Sequence, residues 1–196
     1  MLSTKTIGLI LAGGRSRRMQ GRDKALLVMN GQTLLAHSMH RLLPQVDALA
    51  LNSNAPSDTF STYRLPVIPD RLPGFLGPLA GIHAGLAQYP HDHLLTAAVD
   101  LPFLSFDLAA RLRGGLGTLP CSYASDGDRH ALALLWRPGM AADVQEYLES
   151  GKRSLKEFLA EHGKAVRFDQ PRDRGLFYNI NTPEDLARAE SDPEPG

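Results

Sequence analysis

A chain of 196 residues with 43% hydrophobic content can bury one sizeable core and lies near the upper size of a single compact domain. Its 21 lysines and arginines balance 21 aspartates and glutamates, which excludes a partner held by overall charge, such as nucleic acid or an anionic membrane surface. The single cysteine, Cys121, excludes an intrachain disulfide framework and a zinc site built on several thiolates. No apolar run approaches the roughly 20 residues of a membrane span, and the N-terminal MLSTKTIGLILAGGRS lacks a signal-cleavage pattern. A soluble, cytoplasmic protein is expected.

In chain order, Ile7 to Ala12 is a continuous apolar run, read as a buried strand that feeds a glycine- and arginine-rich loop. After the turn signal Asn30-Gly31, Leu35, Met39, Leu42 and Leu43 recur at helical spacing, which predicts a helix stopped by Pro44. Ala48 to Leu51 and Val67-Ile68 read as short strands leading to Asn52 and Asp70. Pro69 to Pro78 is a loop, and Leu79, Ile82 and Leu86 share one side of the helix after it. Leu94 to Val99 is a strand that delivers Asp100, and Ser105 is placed as the N-cap of the next helix.

Beyond this point the pattern is less regular. Ser122 to Ala124 and Ala131 to Trp136 flank the turn Asp126-Gly127-Asp128 and are expected to pair antiparallel as an addition at the sheet edge. Helices follow near Met140 to Leu148 and Leu155 to Leu159, separated by the C-terminal signal Gly151. Thr182-Pro183-Glu184-Asp185 carries the marks of a final helix start. The alternation predicts an α/β fold, a Rossmann-like three-layer sandwich with a mostly parallel, mixed central sheet. Residues 1–190 are expected to form one domain, with 191–196 as a frayed tail. In open α/β sheets ligands bind outside the carboxyl ends of the strands, where the Gly13 loop, Asn52, Asp70 and Asp100 would gather.

The loop GGRSRRMQGRDK packs two adjacent glycines, four arginines and a lysine into residues 13–24. Glycine lets backbone N–H groups approach phosphate oxygens, and arginine forks with a lysine point charge neutralise a triphosphate. The spacing is neither a P-loop nor a dinucleotide fingerprint. Solvated surface charge is the alternative on composition alone, but a buried strand running straight into these residues favours a phosphate site. His37 with His40, and His91 with His93, have no third ligand at metal spacing and read as surface or satisfied histidines.

Leu11-Ala12-Gly13-Gly14-Arg15-Ser16-Arg17-Arg18-Met19 with Asp23-Lys24 resembles the signature of the molybdenum cofactor guanylyltransferase family of nucleotidyltransferases. Asn52, Asp70, Gly77-Pro78-Leu79-Ala80-Gly81-Ile82, Val99-Asp100-Leu101-Pro102-Phe103 and Asn179-Ile180-Asn181-Thr182-Pro183-Glu184-Asp185-Leu186 continue the resemblance in order down the chain. It implies transfer of GMP from GTP to molybdopterin or molybdenum-molybdopterin with release of pyrophosphate, and Mg²⁺ as cofactor. By the same resemblance Leu11, Ala12, Gly13 and Gly14 contact the nucleotide, Lys24 its phosphates, and Asn52 and Asp70 its base and sugar region. Asp100 meets GTP and Mg²⁺, and Lys24, Asp100 and Arg18 form the catalytic set. The N-terminal half would hold the nucleotide and the C-terminal half the acceptor.

Asp128, His130, Arg153, Asn179 and Asn181 are the acceptor candidates, although a turn rich in Asp and Gly is usually only a turn. Molybdoenzyme apoproteins or cofactor-insertion proteins are the implied downstream partners. Gln20 stands where many relatives have glycine, and Val99 where cysteine is common. Related cytidylyltransferases commonly carry alanine at the position of Gly13, so glycine there favours the larger guanine. A sibling enzyme using CTP or another acceptor, and a non-catalytic nucleotide or cofactor carrier, are the alternatives.

Overall fold

The computed structural model describes residues 4–12, 23–56, 58–74, 77–127 and 130–191. Its strands are β1 (Thr6–Leu11), β2 (Val28–Met29), β3 (Gln32–Thr33), β4 (Ala48–Asn52), β5 (Val67–Ile68), β6 (His93–Ala98), β7 (Cys121–Ser125), β8 (His130–Trp136) and β9 (Gly163–Arg167). Its helices are α1 (Leu34–Leu42), α2 (Pro78–Gln88), α3 (Leu108–Leu116), α4 (Ala141–Glu149), α5 (Leu155–His162) and α6 (Pro183–Ser191). Among the described residues one seven-stranded sheet has the order β5-β4-β1-β6-β8-β7-β9, and β2 and β3 form a small hairpin turning at Asn30-Gly31. β8 is antiparallel to both its neighbours, whereas the other pairings in the large sheet are parallel.

Alternation along the strands explains the three layers. In β1, Ile7, Leu9 and Leu11 face a core shared with Leu79 and Ile82 of α2, Val144 and Tyr147 of α4 and Phe158 of α5. Ile10 faces the opposite core, with Leu34 and Leu35 of α1, Leu108 and Leu112 of α3 and Ala189 of α6. Trp136 is fully buried, and its indole N–H donates to Thr96 Oγ1 at 3.2 Å, so its one polar group is satisfied.

The observed elements correct the sequence expectations in four places. The β7–β8 pair is not at the edge: β8 joins it to β6, and β9, which had not been foreseen, forms the edge. The helix after Ser105 begins three residues later, at Leu108, with Asp107 as its N-cap residue, and the Gln45 carboxamide satisfies a donor of its first turn. Its Oε1 accepts from Ala109 N at 2.9 Å, and its Nε2 donates to Ser105 O at 2.9 Å. His93 is not satisfied throughout, since its buried Nδ1 has no partner among the described residues. Ser191 is the last residue of α6, while the remainder of the tail, 192–196, lies outside the described residues.

Candidate functional site

The parallel strands bring their carboxyl ends to one edge, and main-chain hydrogen bonds lace the ends together. Ala12 N donates to Asn52 O at 2.9 Å, Val99 N to Leu11 O at 3.1 Å, and Ile180 N to Asp100 O at 3.0 Å. Segments far apart in sequence therefore meet around the end of β6.

At that point stands a cluster of three side chains. Lys24 Nζ lies 2.5 Å from Asp100 Oδ2 and 2.8 Å from Asn181 Oδ1. Each neighbour is fixed locally. Asp23 caps the short 3₁₀ turn Lys24–Leu26, accepting from Ala25 N at 2.9 Å. On the other side, Asn181 N and Thr182 N both donate to Asp185 Oδ2 at 2.9 Å, and Asp185 N donates to Thr182 Oγ1 at 3.1 Å. This is the reciprocal cap that the Thr-Pro-Glu-Asp spacing predicts. The donating Asn181 amide holds the Asp185 carboxyl below the usual carboxylate range.

Lys24 and Asp100 are only 17% and 16% exposed, so their ion pair is screened less than a surface pair. Asp100 Oδ1 is buried and has no hydrogen-bond partner among the described residues. A buried carboxylate oxygen left without a donor is suited to a cation. No group of three or more His, Cys, Asp or Glu that could hold a metal occurs among the described residues. A metal here would accordingly take one protein carboxylate and complete its shell from phosphate oxygens and water, as Mg²⁺ does.

A second cluster forms where β4 and β5 end. Asn52 is 3% exposed, and its Nδ2 donates to Ile68 O and to Asp70 Oδ1, both at 3.0 Å. Asn54 Nδ2 donates to Asp70 Oδ2 at 2.8 Å, while Asp70 N donates back to Asn54 Oδ1 at 2.9 Å. Asn52 thus orients Asp70 rather than presenting free donors of its own. The reciprocal partner Asn54 was missed in the sequence, although a second asparagine two residues after the first was a signal for it.

Gly77 precedes α2 with φ +68°, a backbone that glycine adopts without strain. A Cβ on Gly81 would come within 2.1 Å of Asn52 Oδ1, so α2 reaches this cluster only as glycine. These contacts give the Gly-Pro-Leu-Ala-Gly segment its physical meaning.

The remaining predicted positions divide. Leu11 ends β1 opposite Asn52, and Ala12 follows it with its N–H on Asn52 O. Asn179 is exposed, two residues before Asn181. Arg153 is turned to α4, where its guanidinium donates to Leu148 O at 2.5 Å and Lys152 O at 2.6 Å, capping the helix end. His130 opens β8. Gly13, Gly14, Arg18 and Asp128 lie outside the described residues. His37 Nε2 is paired with Met29 O at 2.9 Å.

Residues 8–166 match the family described as the MobA-like NTP transferase domain. The chain is 45% identical over 192 residues to the molybdenum cofactor guanylyltransferase of Cereibacter sphaeroides, with 95% of this chain and 96% of the relative covered. It is 40% identical over 193 residues to the protein of that name from Mesorhizobium japonicum, with 93% of each covered. Among solved structures, molybdopterin-guanine dinucleotide biosynthesis protein A from Archaeoglobus fulgidus shares the fold. It has a TM-score of 0.76 at 24% identity, covering 94% of this chain and 96% of that one. With the strand order, the edge cluster and relatives matched along nearly the whole length, the chain belongs to the MobA-like NTP transferases, in the molybdenum cofactor guanylyltransferase family, and is a nucleotidyltransferase.

Proposed function

We propose that the protein transfers GMP from GTP to the phosphate of molybdopterin or molybdenum-molybdopterin, using Mg²⁺ and releasing pyrophosphate. It would act in the cytoplasm as one domain, with the nucleotide on the β4–β5 side and the acceptor on the C-terminal side. The observation that carries this is the Lys24–Asp100–Asn181 cluster at the end of β6, between the two halves of the sheet edge. The names of the relatives supply the choice of guanine and of acceptor.

The chemistry fits a site that offers charge and position rather than a strong base. An acceptor phosphate has a second pKa of about 6 and is largely ionised near neutrality. One of its oxygens attacks the α-phosphorus of GTP, the new P–O bond forms as the bond to the bridging oxygen breaks, and pyrophosphate carries off the electron pair. Lys24 presents an ammonium to the triphosphate, with Arg18 and the Gly13-Gly14 backbone as its companions. Asn181 keeps that ammonium aimed, and Asp70, clamped by Asn52 and Asn54, meets the base and sugar region. Asp100 Oδ1 is the atom that would hold Mg²⁺; when bound, the ion neutralises charge across the phosphates. The product would pass to molybdoenzyme apoproteins or cofactor-insertion proteins.

Mg²⁺-dependent pyrophosphate release, measured with molybdopterin and either GTP or CTP, tests the reading. Release with GTP well above CTP is expected. Preference for CTP overturns the base assignment, and silence with both nucleotides overturns the acceptor.

A further inference from the structure

We infer that the cleft between the end of β7, the end of β9 and residues 168–178 receives the planar heterocycle of the acceptor, so that the acceptor spans the sheet edge from this cleft to Asp100. The inference rests on the transferase reading above and specifies where its second substrate lies. The cleft has a volume of about 490 Å³, within the range of small-ligand sites, and is lined by Asp126, Phe168, Gln170, Arg174, Phe177 and Tyr178 among others.

Its place in the sheet decides which substrate it fits. β7 and β9 run parallel to each other, with Ser125 paired to Arg167, and both point the same way as β6. Their carboxyl ends therefore share the edge on which Asp100 stands. At a spacing of about 4.8 Å per strand, β7 lies ~10 Å and β9 ~14 Å from β6. The Asn52–Asp70 cluster lies on the opposite side of β6, beyond β1. Two ligand groups can thus converge on Asp100 from opposite directions. The cleft wall also leads there directly, since Tyr178 is three residues from Asn181 and Ile180 N is bonded to Asp100 O.

The floor is built rigidly. Arg111 of α3 donates to Asp173 at 2.6 and 2.9 Å and to Arg167 O at 2.8 Å, and its guanidinium lies 3.5 Å over the Phe168 ring. Phe168 meets Phe177 edge to face at 5.4 Å, and Phe168 N donates to Ser125 O at 2.8 Å. Aromatic and apolar surface suits a flat ring. A carboxylate that only accepts and a carboxamide that both donates and accepts, Asp126 and Gln170, suit a ring bearing amino and carbonyl groups.

The test uses the full chain and 6-hydroxymethylpterin, whose own fluorescence reports binding. Asp126 and Gln170 are exposed, and since Gln170 also caps the 171–173 turn, an unchanged Tm is the check that the double variant D126A/Q170A keeps the Arg111–Asp173 floor. The wild type is expected to bind the pterin, and the variant to bind it about tenfold more weakly. The same variant should raise KM for molybdopterin by about tenfold while calorimetric GTP affinity stays put. Equal pterin binding by both proteins, or no binding by the wild type at millimolar pterin, overturns the assignment. If pterin binding is lost in the variant but the wild type transfers no GMP, the cleft stands and the transferase reading falls. Normal transfer with an unchanged acceptor KM in the variant has the opposite meaning.

Discussion

The two sides of the sheet edge are built differently. On the β4–β5 side, Asn52, Asn54 and Asp70 answer one another in a closed set of hydrogen bonds, with Gly81 of α2 pressed against the carboxamide. On the β7–β9 side, Asp126, Asp169, Gln170 and Arg174 line the cleft exposed, and rigidity comes from Arg111 and the buried Asp173 beneath them. A side whose polar atoms are already matched holds one geometry before its ligand arrives, which suits a fixed nucleotide. A side with an ordered floor and solvated rim gains its specificity when the ligand arrives. Lys24, Asp100 and Asn181 stand between them and should serve both.

The largest expected effect follows at that junction. Asp100→Asn keeps an oxygen for Lys24 but removes the negative charge, and transfer should fall by about 10²–10³-fold with little loss of stability. Pyrophosphate release at saturating Mg²⁺ measures it, and near-normal turnover would remove Asp100 from the site.

Two substitutions should separate the sides. Arg111→Ala leaves Asp173, whose side chain is 2% exposed, without the partner that holds its carboxyl below the usual carboxylate range. Breaking such a pair should cost about 3 kcal/mol and lower Tm by roughly 6–12 °C, while GTP affinity is kept. Gly81→Ala should cost about 1–3 kcal/mol, because the new methyl must displace a carboxamide tethered to Ile68 and Asp70. It should weaken GTP binding by calorimetry, as Arg111→Ala should not. If both variants alter GTP affinity alike, the two sides are not independent.

The same contrast governed what could be read in the sequence. β1, β4, β5 and β6 are largely apolar runs, with β4 closing on Asn52 and with β5 and β6 leading within two residues to Asp70 and Asp100, so the gathering of those three followed from their order. The cap at Thr182 and Asp185 was legible because its spacing is its mechanism. β9 was not, since Gly163–Arg167 is an edge strand with exposed Lys164, Ala165 and Arg167 and carries no alternation to detect. Arg111 gave no local sign either: it meets Asp173 across 62 residues, and only the packing of α3 against β7 and β9 brings them together. The Gln45 cap failed to show for the same reason, as it acts on the distant backbone of Ser105 and Ala109.

The seam between the sides gives the smallest prediction. His83 of α2 is buried against α4, with Gln145 and Glu149 opposite it and Arg71 nearby, and its Nδ1 has no partner among the described residues. Burial pulls its pKa below the ordinary value near 6.5, and burial does the same to His93 at the start of β6. In each case the unfolded chain takes up a proton before the folded one does. Stability should therefore be level above about pH 7.5 and decline as pH falls through 6.5, until the depressed folded values are reached. Asp173 acts lower down, because its folded pKa is depressed below 3.8, so the stability it lends is lost only as pH falls beneath that value. Urea midpoints between pH 5 and 8 isolate the histidine window, and His83→Asn should reduce the slope there without removing it, since His93 remains. An unchanged slope would mean that the seam carries no titrating group and that α2 and α4 are joined by packing alone.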